Sequence, residues 1–142
     1  MAQFKIQYHS KFWDSWDKIL SKLPDGKSDD KGRIIKEKDP TKADYKRAKE
    51  DIVYYLANGL PIKGEKLIKN TKDGIRAFKC HLLGDKTDDI LIAWRRYKGT
   101  YSGVKNSNIV MIIDIGNHDI LDKIKDMKFR LYESEIKENK LL

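Results

Sequence analysis

With a single cysteine, Cys80, the chain cannot close an internal disulfide, which fits a reducing compartment. Its apolar neighbours on an expected strand make Cys80 a buried small hydrophobe rather than a nucleophile. No window approaches the roughly 18 consecutive apolar residues of a membrane-spanning helix. The start, Met1-Ala2-Gln3-Phe4-Lys5, lacks the basic-then-apolar build of a secretory signal. The expectation is a cytoplasmic protein with no membrane partner. Internal repeats and a second composition regime are also missing, so one domain over residues 1–142 is expected, a size with room for one modest core.

What the chain has in excess is charge. Charged residues make up 37% of it, and the formal net charge is +8. The 39% that is hydrophobic still suffices for collapse, which excludes global disorder. Such a basic balance points to an acidic partner, and the position of the excess matters more than its sum. Residues 52–86 alone carry +4, and the surplus is concentrated between Ile52 and Lys98. The lysine-rich run from Lys22 to Glu50 is nearly balanced by its own acids and reads as a solvated surface.

Hydrophobic periodicity supplies the elements. Phe4 to Tyr8 alternates as a half-buried strand. Ser10 is placed to cap a helix over Lys11 to Leu23, whose Phe12, Trp13, Trp16, Ile19, Leu20 and Leu23 form one core stripe. The polar stretch from Asp25 to Pro40 reads as a long loop. Thr41 with Asp44 resembles a capping box, opening a helix that Asn58-Gly59 ends. Three strands are expected at roughly Gly74–Leu83, Asp89–Tyr97 and Asn108–Asp114, the last two joined through Lys98–Ser107. Ile120, Ile124, Met127 and Leu131 then predict a C-terminal helix over residues 117–142. The fold class is therefore α+β, with two N-terminal helices on one side of a mostly antiparallel sheet and the other side left for a partner.

Two motifs carry chemistry. Phe78-Lys79-Cys80-His81-Leu82-Leu83-Gly84-Asp85 ends one expected strand, and Ile113-Asp114-Ile115-Gly116-Asn117-His118-Asp119-Ile120-Leu121 ends another. Strand alternation sets Lys79 and His81 on the face opposite Phe78, Cys80 and Leu82. Taken alone, a histidine at a strand end is an ordinary polar residue. His9, outside both motifs, is read as structural, and Trp94 as core. Tyr97 and Tyr101, near the hairpin, are placed to stack on exposed bases.

The two motifs together, and the order strand, helix, helix, three strands, resemble the YafQ branch of the RelE-like toxins. The resemblance spans residues 3 to about 122 and is specific from Gly59 to Leu121. It implies a metal-independent endoribonuclease that needs no cofactor, cuts messenger RNA at the ribosome and is held inactive by a cognate antitoxin. It also implies His81, His118 and Asp85 as catalytic residues. The pattern usually has an arginine two residues before the glycine of the second motif, where this chain has Asp114. It has a tryptophan where this chain has Lys86, and an aromatic residue at Asp122. A further upstream histidine has no counterpart in Gly64-Glu65-Lys66-Leu67.

Metal-free RNA cleavage needs a base for the 2′-hydroxyl, an acid for the leaving 5′-oxygen and cations for the crowded phosphorane. Histidines titrate near neutrality and suit both proton roles. Asp85 is read either as an orienting acid or as a turn residue. The cations at hand for RNA phosphate are Arg76, Lys79, Arg95 and Arg96, with Lys79 beside His81. Asp114 also supports a catalytically silent RNA- or protein-binding relative. Together with His118, Asp119 and Asp122 it offers a metal-ligand set as well, although acids in a first helical turn commonly just complement the helix dipole.

Overall fold

A computed structural model describes residues 3–23, 27–28, 31, 34–35, 40–69, 71, 76–84, 90–126 and 136–138. Three helices and a six-stranded mixed sheet organise them. Strand β1 (Lys5–His9) leads into α1 (Ser10–Ser21), and a small hairpin, β2 (Lys27–Ser28) with β3 (Ile34–Ile35), precedes α2 (Lys42–Ala57). Then come β4 (Lys66–Ile68), β5 (Ala77–His81), β6 (Leu91–Tyr101), β7 (Val104–Gly116), α3 (Asp119–Asp126) and β8 (Ile136–Glu138). The sheet order is β4-β5-β6-β7-β1-β8, and every pair is antiparallel except β1 with β7. No described helix is long and apolar enough to cross a membrane.

Both expected N-terminal helices form, with instructive ends. Helix α1 buries Phe12 and Trp16, but its cap is His9 rather than Ser10: His9 Nδ1 accepts the Lys11 N–H at 3.3 Å. Ser10 instead enters the helix as its first residue. The α2 capping box forms as the Thr41–Asp44 spacing predicts: the Thr41 N–H donates to Asp44 Oδ2 at 2.9 Å and the Asp44 N–H to Thr41 Oγ1 at 3.4 Å. At the other end the Leu60 N–H closes back to the Tyr55 carbonyl, with Gly59 at φ 67° as the left-handed residue this closure requires.

The β6–β7 hairpin is longer than expected. Its turn is Ser102-Gly103 alone, with φ 46° and 81°, the double positive φ of a type I′ turn. The stretch Lys98–Ser107 therefore adds to both strands rather than looping out. The Asp25–Pro40 segment is not all loop, because β2 and β3 pair within it. The expected strand starts at Gly74 and Asp89 lie outside the described residues.

Two clusters make the core, one on each face of the sheet. Against α1 and α2 lie Ile6, Tyr8, Cys80, Ile92, Trp94, Val110, Ile112 and Ile115. On the opposite face, Ile68, Ala77, Leu91, Ala93, Met111 and Ile113 pack with Ile120 and Ile124 of α3. The face expected to stand open is thus partly covered, because four apolar side chains from β6 and β7 would otherwise be wetted. The C-terminal segment is likewise not one helix: residues 136–138 form a strand antiparallel to β1. Met127 and Leu131 lie outside the described residues.

A β-bulge between β6 and β7 sets which residues reach which face. Ala93 pairs with Asp114 but Trp94 pairs with Ile112, so Ile113 is the extra residue. The alternation is reset, and Ile112 and Ile115, three apart, join the same cluster. Gly116 consequently faces α3. A side chain there would meet Ile120 Cγ2 at 2.7 Å, so only glycine lets the helix lie this close to the strand end.

Candidate functional site

His81 and His118 come together through strand register. His81 pairs with Leu91, and Leu91 pairs with Gly116, so the three form one row across β5, β6 and β7. Cross-strand partners share a face, which puts His81 on the Leu91 face, the side of α3. From Gly116 the chain turns through Asn117, whose Oδ1 accepts the Asp119 N–H at 3.0 Å and starts α3. His118 sits in that turn. The two imidazole ring centroids are 6.1 Å apart and their planes are inclined at 50°. His81, at the end of β5, is half-buried, and His118 is exposed.

The next row along the strands holds Lys79, Ala93 and Asp114. Lys79 therefore occupies the same face as His81, as alternation predicts. Two strand spacings, about 10 Å, separate it from Asp114 in the sheet. Asp114 is 7% exposed, and its Oδ1 accepts the Ile115 N–H at 2.8 Å. The carboxylate thus tethers the backbone just after the bulge. Asp119 and Asp122 lie in the first turn of α3, where acids complement the helix dipole. Among the described residues no three His, Cys, Asp or Glu side chains converge to hold a metal ion.

The other sequence-selected cations divide between the faces. Arg95 is buried on the α3 face, its guanidinium 5.2 Å from the Tyr97 ring. The Tyr97 hydroxyl donates to Gln7 Oε1, so this ring is already engaged within the fold. Arg96 pairs with Val110 of the helix-face cluster and lies 5.8 Å from the Phe78 ring; Arg76 approaches the same ring at 5.9 Å. Arg76 and Arg96 therefore gather around Phe78, away from the histidine pair. Asp85 lies outside the described residues. Cys80 is buried beneath α2, and burial, with Glu65 adding to it, pushes its thiol up to about 12, which leaves it a poor nucleophile.

Two clefts lie near the pair, the first lined in part by His81 and the second by Lys79 and Leu121, each within three residues of one of the histidines. One, of about 500 Å³, runs between α2 and the end of β5 and is lined by Arg47, Tyr55, Lys63, Cys80, His81 and Gly84 among others. The second, of about 460 Å³, lies between the β4 edge and α3 and is lined by Lys66, Leu67, Ile68, Lys69, Lys79, Leu121 and Lys125. Burial holds the Lys79 ammonium below the usual lysine range, and the neighbouring charges of Lys125 and Lys66 lower it further. Of these four lysines only Lys79 stands out in the sequence, through its alternation with His81. Lys66 and Lys69 fall inside the charge excess of residues 52–86, but β4 is too short to show an alternating pattern. Lys125 was hidden in a helix of mixed sign. Comparison of the chain with protein-family profiles, with curated proteins and with solved structures finds no match.

Proposed function

We propose that the protein is an endoribonuclease of the RelE-like, YafQ-type kind, a toxin restrained by a cognate antitoxin, that cuts messenger RNA by metal-independent acid/base catalysis. The observation that carries this reading is the 6.1 Å approach of His81 and His118 from separate sequence motifs. At that separation both rings can reach oxygens of one phosphate at hydrogen-bond range, roughly 2.6–3.2 Å. One imidazole takes the proton of the 2′-hydroxyl as its oxygen attacks phosphorus. The other, as imidazolium, gives a proton to the departing 5′-oxygen. Lys79, on the same face two residues from His81, supplies positive charge for the phosphorane.

Expression of the wild-type chain is expected to arrest growth and to cleave translated messenger RNA. His81→Ala and His118→Ala are each expected to abolish both effects. A wild-type chain that neither arrests growth nor cuts RNA overturns the reading.

Asp114 favours a second reading, that of a catalytically silent RNA- or protein-binding relative. Its carboxylate stands on the face of the histidine pair at the position where the resemblance expects an arginine. Cleavage that appears in Asp114→Arg but not in the natural chain would decide for the silent relative.

A further inference from the structure

We propose that the cleft formed by Lys66, Lys69, Lys79 and Lys125 is a phosphate-binding track for single-stranded RNA, continuous with the histidine pair and leading the strand from His81 toward the β4 edge. This rests on the reading of the histidine pair as the site that meets RNA. The four lysines come from three places in the fold: Lys66 on β4 with Lys69 just after it, Lys79 on β5 and Lys125 on α3. No acidic side chain lines the cleft among the described residues.

The cleft gathers four lysines without a carboxylate among its described lining, and the charges of Lys125 and Lys66 add to burial, the larger cause, in lowering the proton affinity of Lys79. An anion with several oxygens offsets that gathered charge. The usual structural explanation for a lysine late in a helix, favourable contact with the dipole, accounts for Lys125 alone. It does not explain why β4 and β5 direct lysines at the same space.

Continuity with the histidines comes from the strand. Lys79 and His81 are two residues apart on one face of β5, about 7 Å along the sheet. A strand of RNA with one phosphate between the imidazoles therefore presents a neighbouring phosphate to Lys79. Leu67, Ile68 and Leu121 line the cleft with apolar surface against which a ribose or base can rest. Lysines act as point charges without the planar fork of arginine, so the track is suited to gripping backbone of any sequence.

The test is binding of a short 2′-O-methylated RNA, which lacks the nucleophile and cannot be cut, measured by fluorescence anisotropy across a salt series. Lys66 is exposed and Lys125 half-buried, so Lys66→Gln with Lys125→Gln leaves the core intact. The double variant is expected to bind roughly tenfold more weakly near physiological salt, with a slope of log affinity against log salt shallower by about 1.4, or ~0.7 per lost contact. Lys66→Arg with Lys125→Arg is expected to restore both. Unchanged affinity and slope in the glutamine variant overturn the proposal. So does stabilisation of the wild-type chain by inorganic pyrophosphate in a thermal melt without any RNA binding, which would mark a free-phosphate site. Lysine-dependent binding by a chain that cuts no unmodified RNA upholds the track and overturns only the nuclease reading.

Discussion

On the face covered by α1 and α2, Ile92, Trp94, Val110 and Ile112 meet Phe12, Trp16 and Leu56 in a broad apolar layer. On the opposite face Leu91, Ala93, Met111 and Ile113 meet Ile120 and Ile124 of the much shorter α3. The same sheet supplies both floors, and the difference lies in the size of the cover. Two long helices leave little sheet exposed. Among the described residues a helix of eight covers the apolar centre and leaves a margin, and there His81, His118 and the lysine cleft sit. One face thus carries the larger apolar layer, while the rim of the other carries the residues on which the proposed chemistry rests.

The contrast is tested most strongly by removing the largest side chain of the helix face. Trp94 is fully buried, and Trp94→Ala is expected to destabilise the chain by about 3–5 kcal/mol in urea titration. A loss under about 1 kcal/mol would mean that this face is not the main core. Gly116→Ala acts on the other face, since the added methyl group must displace Ile120. Overpacking of this kind costs about 1–3 kcal/mol. Because the displaced helix carries His118 away from His81, RNA cleavage is expected to fall further than the stability loss accounts for. Equal losses of stability and cleavage would show that the spacing of the rings is unimportant.

Much of the helix face was legible in the sequence because its signals are local. The aromatic stripe of α1, the Thr41–Asp44 box and the alternation around Cys80 each lie within a few residues. The rim of the other face was legible only in part. Alternation correctly placed Lys79 with His81, but the meeting of His81 with His118 depends on pairings across three strands and on the Ile113 bulge. Nothing in residues 109–113 marks that bulge, since the run is apolar on both faces. Strand β4 leaves no mark in the sequence because three residues carry too little pattern. Strand β8 is masked in the sequence because the helical spacing of Ile120 and Ile124 continues in Met127 and Leu131 and predicts helix where residues 136–138 pair with β1.

Smaller effects sharpen the same division. Thr41→Ala removes the α2 cap and is expected to cost about 1 kcal/mol. It lies on the helix side, so cleavage by the folded variant should match wild type. A selective loss of cleavage in a fully folded Thr41→Ala chain would tie the two faces together. The Cys80 thiol, buried and pushed up to about 12, should resist alkylation at pH 8 in the native chain and react readily in urea. Rapid native alkylation would show that the layer between α2 and β5 opens.

The most direct measurement of the central claim is single-turnover cleavage of a short RNA in the presence of a chelator, comparing wild type with His81→Ala, His118→Ala and the double variant. Two groups that serve one phosphate act as a unit, so each single variant is expected to lose about 10²–10⁴ in rate and the double variant little more than the worse single. Cleavage that persists in either single variant, or losses that multiply in the double, would contradict the assignment of one phosphate to both rings.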